Sequence, residues 1–196
     1  MSETLEWIRL HWVELAGACL GLWSIYLQIL RKPLYWPVSI VMVILYIFVY
    51  FHARIYADMS FQFYYLAISI YGWYYWITHK RAEKETVESD ISRITRLTFW
   101  SIVIFCTVVF VALGLVLSEF TDSDVPWCDA LTTSLSFAAT WLLARKVLEN
   151  WLFWIVVDSV SVAIYIYKGL YPTAFLFTVL TALAFVGYFK WKKEIH

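Results

Sequence analysis

The chain has 196 residues, of which 62% are apolar and 15% charged, and its fifteen basic and fifteen acidic side chains cancel. A soluble domain is about half apolar and a quarter charged, so a globule with this composition and a mean hydropathy of +0.69 would lack polar surface to cover itself. Soluble enzymes, nucleic-acid binders and disordered chains are excluded, which leaves an all-α polytopic membrane protein.

The N-terminus carries Glu3 and Glu6 before Arg9, not the basic start of a cleaved signal peptide. The first apolar run therefore reads as a retained helix. A helix needs about 20 apolar residues to cross a bilayer. Seven runs qualify, at 12–30, 34–52, 58–77, 97–118, 128–144, 149–167 and 172–190. None alternates polar with apolar, as barrel strands would. Seven spans put the termini on opposite sides. Arg9, Arg54 and Lys168 then fall on one side and the other twelve basic residues on the other. Basic loops stay in the cytoplasm, so the N-terminus is expected outside and the C-terminus inside. The acidic stretch Glu119, Asp122, Asp124 then faces outward.

Shifted by 115 positions, the chain lands on itself without a gap. Trp12 meets Trp127, Arg31 meets Lys146, Trp36 meets Trp151 and Tyr50 meets Tyr165; Gly72 and Trp76 meet Gly187 and Trp191. The shift moves by four spans, so both copies point the same way. This predicts a 3+1+3 plan of two parallel three-helix repeats, 1–96 and 119–196, joined by a linker helix at 97–118. Transporters with such repeats bind substrate near mid-bilayer between them.

Asp158 lies near the middle of the sixth run, among Val156, Val157 and Val160. An aspartate there costs about 2.5–3.5 kcal/mol on insertion scales and normally faces a cavity or a partner. Trp151, Trp154, Asp158, Ser161 and Tyr165 share one helix face. The matching stripe in the second run is Trp36, Ser39, Val43, Tyr46 and Tyr50. Gln62, Tyr65, Ser69 and Trp73 share a face in the third run, and Thr133, Ser136 and Thr140 in the fifth. Such faces suit a flat ring with polar edges and a positive charge, because aromatic faces attract cations. The competing reading is a neutral Asp158 bonded to a neighbouring helix. The candidate site residues are Asp158, Trp154, Trp151, Gln62, Ser69, Ser161, Tyr65, Ser39 and Tyr46.

Other features read as structural. Trp7, Trp12, Trp76, Trp127 and Trp191 lie near run ends, as an interfacial belt would place them. Gly72 and Gly187 would allow close helix approach. The cysteines Cys19, Cys106 and Cys128 and the four histidines have no metal spacing. No phosphate loop or hydrolase motif is present, so no cofactor and no enzymatic activity are expected.

The stretch Arg145-Lys146-Val147-Leu148-Glu149-Asn150-Trp151-Leu152-Phe153-Trp154, followed by Asp158, resembles the sixth-helix signature of the PnuC family of bacterial vitamin transporters. So does Ile70-Tyr71-Gly72-Trp73-Tyr74-Tyr75-Trp76 in the third. The resemblance implies a 3+1+3 fold similar to SWEET sugar transporters. It also implies a place in the bacterial cytoplasmic membrane and facilitated uptake of an unphosphorylated vitamin or precursor, trapped afterwards by a cytoplasmic kinase. Within it, Trp151, Trp154 and Asp158 match the sixth-helix motif, and Gln62 and Ser69 match polar positions of the third helix. The nicotinamide riboside branch tends to carry Asn at the places of Ser69 and Asp158. A carboxylate can bridge the ring nitrogen and exocyclic amine of an aminopyrimidine, which favours thiamine. Nicotinamide riboside, also cationic, is the alternative. A proton-coupled symporter using Asp158 as carrier is a further one. The partners expected are the vitamin and the lipid bilayer, with room for a homo-oligomer and no nucleic acid.

Overall fold

The computed structural model describes residues 20–54, 56–83, 91–121 and 123–195. They form seven helices: α1 Leu20–Ile29, α2 Tyr35–Ala53, α3 Tyr56–Glu83, α4 Arg96–Phe120, α5 Pro126–Ala144, α6 Asn150–Tyr167 and α7 Tyr171–Lys193. Of these, α2, α4, α6 and α7 are long and apolar enough to cross a membrane. The other two long helices are diluted by polar residues: α3 by Gln62, Ser69 and its charged last turns, α5 by its threonines and serines.

The breaks end these helices by defined chemistry. Behind α1 the Arg31 N–H bonds to the Gln28 carbonyl at 2.9 Å and the Lys32 N–H to Leu27 at 2.9 Å. Behind α5 the Lys146 N–H bonds to Leu143 at 3.0 Å and Val147 to Leu142 at 3.0 Å. Both are Schellman caps, which need a left-handed residue just past the helix. Arg31 and Lys146 supply it at φ 50° and 53°. Arg54 and Gly169 end α2 and α6 with φ 59° and 71°. All four positive-φ residues among the described ones therefore pair under the 115-residue shift. Apolar composition could match by chance; left-handed backbone at positions matched by the shift is a second, independent correspondence.

Helix α2 packs on α3, α6 on α7, α5 on α4 and α6, and α3 crosses to α5. Inside the first pair the Trp36 indole lies against Gly72, and inside the second Trp151 lies against Gly187. Gly72 and Gly187 were expected to bring helix backbones together; each instead admits an indole. Trp36 stands edge-on to Trp76 at 5.5 Å and 86°, and Trp151 to Trp191 at 5.5 Å and 90°. The interfacial-belt expectation for Trp76 and Trp191 is therefore corrected, because both are 0% exposed. Their faces point inward, and α3 runs seven residues beyond Trp76 to Glu83, so proximity to an apolar run's end did not place the ring at the lipid boundary. Trp127 is 43% exposed with its ring against Gly114 of α4. Trp7 and Trp12 lie outside the described residues.

Helix α4 is apolar along its length and mostly exposed, burying Ile102 and Gly114 on its α5 side. The extended residues before it are tied to the α5–α6 turn. Ser92 receives a bond from Leu148 N–H at 2.9 Å and donates its own N–H to Lys146 at 3.1 Å. Ile94 N–H donates to Glu149 Oε2 at 2.9 Å. Thr95 then caps α4, its hydroxyl accepting from Thr98 N–H.

Candidate functional site

A cavity of about 610 Å³ opens between α1, α2, α3, α5, α6 and α7, a size typical of small-molecule sites. All nine candidate residues line it. Asp158, Trp151, Trp154 and Ser161 come from α6, Ser39 and Tyr46 from α2, and Gln62, Tyr65 and Ser69 from α3. The 3.6-residue period is the cause: the candidates from each helix share a face, and the faces converge. Thr133, Ser136 and Thr140 of α5 join the wall.

Among the described residues that line the cavity, Asp158 is the one that carries a formal charge. It is 5% exposed. A carboxylate so far from bulk water needs a partner cation or hydrogen-bond donors. Trp154 lies one turn before it, its indole N–H buried without an acceptor. The same holds for the Trp151 N–H. Ser69 faces Ser39 across the α2–α3 contact with hydroxyls 3.1 Å apart. Tyr46 stacks on Tyr50 at 5.8 Å, and Tyr65 rests on Phe137 of α5 at 5.6 Å. The site thus holds an acid, indole donors and a hydroxyl-rich wall around a volume fit for a ring.

The lining repeats in position but not in chemistry. Under the 115-residue shift Val43 falls on Asp158, Ser39 on Trp154 and Tyr46 on Ser161, and all six residues line the cavity. Gln62, Tyr65 and Ser69 of α3 fall on Phe177, Leu180 and Ala184 of α7, which line it too. The cavity is thus lined by both members of each of these shift pairs. Its α3 side is polar and its α7 side apolar, so positions matched by the shift carry different chemistry.

Ser24 and Gln28 of α1 also line the cavity and were not among the sequence candidates. Both are 8% exposed, and Ser24 Oγ is buried without a partner. Their spacing of four in an otherwise apolar run was the available signal. Among the described residues no cluster of three His, Cys, Asp or Glu could hold a metal ion.

Comparison with known proteins adds four findings. The family described as "Nicotinamide mononucleotide transporter" matches residues 11–193. The nicotinamide riboside transporter PnuC of Escherichia coli is 28% identical over 93% of this chain and 85% of its own length. The riboflavin/roseoflavin transporter RibM of Streptomyces davaonensis is 26% identical over 92% of this chain and 84% of its own. The crystal structure of the vitamin B3 transporter PnuC superposes with a TM-score of 0.71 over 94% of this chain and 82% of that one, at 17% identity, so the fold is shared.

Proposed function

The chain belongs to the PnuC family of membrane vitamin transporters, and from that premise we propose that it imports an unphosphorylated, flat, cationic vitamin through the cavity at Asp158. The observation that carries this reading is the single formal charge among the described lining residues, a negative one, set among indoles and hydroxyls. A cation gains from it both Coulomb attraction and a place on the aromatic faces, which strengthen when dry. A phosphorylated form would bring its own negative charge to Asp158 and be repelled. The cargo is therefore the free vitamin, and a cytoplasmic kinase would trap it.

Thiamine is the first substrate. Its positive ring suits the indoles, and the exocyclic amine of its aminopyrimidine can donate a hydrogen bond to the Asp158 carboxylate. Nicotinamide riboside is the second, favoured by the E. coli relative. The nine candidate residues serve as the binding site. The two copies form a 3+1+3 plan with α4 as linker; the paired left-handed residues and paired Trp–Gly contacts support it. Basic loops place the C-terminus in the cytoplasm and the acidic Glu119, Asp124 end outside, where it draws cations inward. Rocking of one copy against the other opens the inner side. If substrate occupies Asp158, no other charged group among the described lining residues is left to carry a coupling ion, which favours uncoupled transport.

Titration calorimetry of the purified protein with thiamine, nicotinamide riboside and riboflavin tests the reading. Saturable thiamine binding that Asp158→Ala abolishes is expected. Binding that survives this change, or riboflavin as the tightest ligand, overturns it. Uptake into kinase-free vesicles that equilibrates without accumulation under a pH gradient separates the uniporter from a symporter.

A further inference from the structure

We propose that Trp36, Trp76, Trp151 and Trp191 form the gate at the basic end of the cavity, held shut by two hydrogen bonds that cross between the repeats. The proposal rests on the transport reading of the cavity and adds the residues that must move.

The four rings are buried to 1% or less. No water-sized path passes between rings so completely covered. Trp151 belongs both to this cluster and to the cavity wall, so the cluster is the cavity's floor. It lies where α1 and α5 end and α2 and α6 begin, with the Lys146 ammonium 5.4 Å from the Trp76 ring and Lys192 next in the chain to Trp191. This is the end that basic residues mark.

An ordinary core would be closed within each repeat; this one is closed between them. The Trp76 N–H of α3 donates to the Leu143 carbonyl of α5 at 3.2 Å. The Trp191 N–H of α7 donates to the Ile29 carbonyl of α1 at 3.3 Å. Trp76 and Trp191 are shift partners, and both acceptors lie in the last turn of the first helix of the opposite copy. The exchange is reciprocal to within one residue, since Leu143 corresponds to Gln28 beside Ile29, much as contacts across a twofold axis are. Trp76 and Trp191 themselves meet at 6.4 Å, where that axis passes. Rocking one copy on the other lengthens both bonds at once, so the gate opens as one unit.

The closed state is also not over-stabilised. The N–H groups of Trp36 and Trp151 are buried with no acceptor. Buried unpaired donors cost free energy, and an open state would hydrate them. Two bonds hold the gate shut while two orphaned donors favour opening, which suits an element that must exchange states.

The test needs no vitamin. Ser24→Cys places a reporter in the cavity wall, in a background with Cys19→Ala, Cys106→Ala and Cys128→Ala. Labelling by a membrane-impermeant maleimide is timed in vesicles of both orientations. Trp76→Phe and Trp191→Phe each remove one crossing bond and keep a ring. Each should raise labelling from the basic face about fivefold, and both together should raise it more. Trp36→Phe removes a donor that has no acceptor and should raise it less. Labelling unchanged from the parent in Trp76→Phe and Trp191→Phe, or a rise at the opposite face alone, overturns the gate. If the double variant fails to fold, the two single variants decide. Enhanced labelling in a protein that calorimetry shows to bind none of the three vitamins would remove the substrate reading and leave the gate intact.

Discussion

The Trp151 indole covers Gly187 so closely that a β-carbon on that glycine would stand 2.6 Å from the ring. No real β-carbon sits so near, and the ring is held by Trp191 at its edge. Gly187→Ala must therefore shift α6 from α7. Overpacking of this kind costs about 1–3 kcal/mol. The expected result is a fall of several degrees in the detergent Tm. Gly72→Ala, pressed against Trp36 in the first copy, should cost a similar amount. Gly21→Ala meets nothing within 4 Å and serves as the control.

The seven helices were legible because a bilayer demands long apolar runs and tolerates no irregular backbone between them. Their limits were missed where the helix continues into water. The third run was read to 77, yet α3 reaches Glu83 through residues as polar as Lys80 and Arg81. The lining was legible because polar groups in apolar runs fall on faces with a readable period, as Asp158, Ser161 and Trp154 do. The inward direction of Trp76 and Trp191 was not, since sequence gives depth along a helix more readily than rotation toward a distant partner. The tie between Ser92 and the turn at Lys146 was also hidden, because a bridge over that separation leaves no local pattern.

That tie has a measurable consequence. Ile94 N–H has its acceptor in Glu149 Oε2, and Ser92 is bridged to Val147 beside it. Glu149→Ala leaves a partly buried N–H without its acceptor, at a cost of about 1 kcal/mol. The expected outcome is faster proteolytic cleavage near residues 91–95 with a small fall in Tm. Glu149→Gln keeps an acceptor oxygen and should restore most of the protection. Equal cleavage in Glu149→Ala and the parent would show that the bond does not order the segment.

The charge of Asp158 can be separated from its shape. Asp158→Asn keeps the size and one acceptor but removes the attraction for a cation. Hydrogen bonds to a charged group contribute about 1.5–3 kcal/mol, so thiamine affinity should fall roughly ten- to a hundredfold. A neutral flat ligand should lose far less. The comparison is read by calorimetry on one purified preparation with both ligands. Equal losses for the cation and the neutral ligand would assign Asp158 a packing role.

The 115-residue correspondence permits a stricter test. Val43 and Asp158 occupy matching positions, are 7% and 5% exposed, and face the same cavity. Exchanging them, as Val43→Asp with Asp158→Val, keeps the composition, the net charge and the burial of one acid. A frame that repeats should accept the exchange, so Tm and elution profile should stay near the parent's. Recognition should not survive it. The acid would leave Trp154 behind for the side of Ser39, its repeat partner. The polar Gln62–Tyr65–Ser69 wall would keep its place on α3 while the charge moved relative to it. A ligand bound by charge at one edge and hydroxyls at another cannot satisfy both after the move. Binding by the exchanged variant should therefore be lost, and retained binding would mean that net negative potential alone draws the cation.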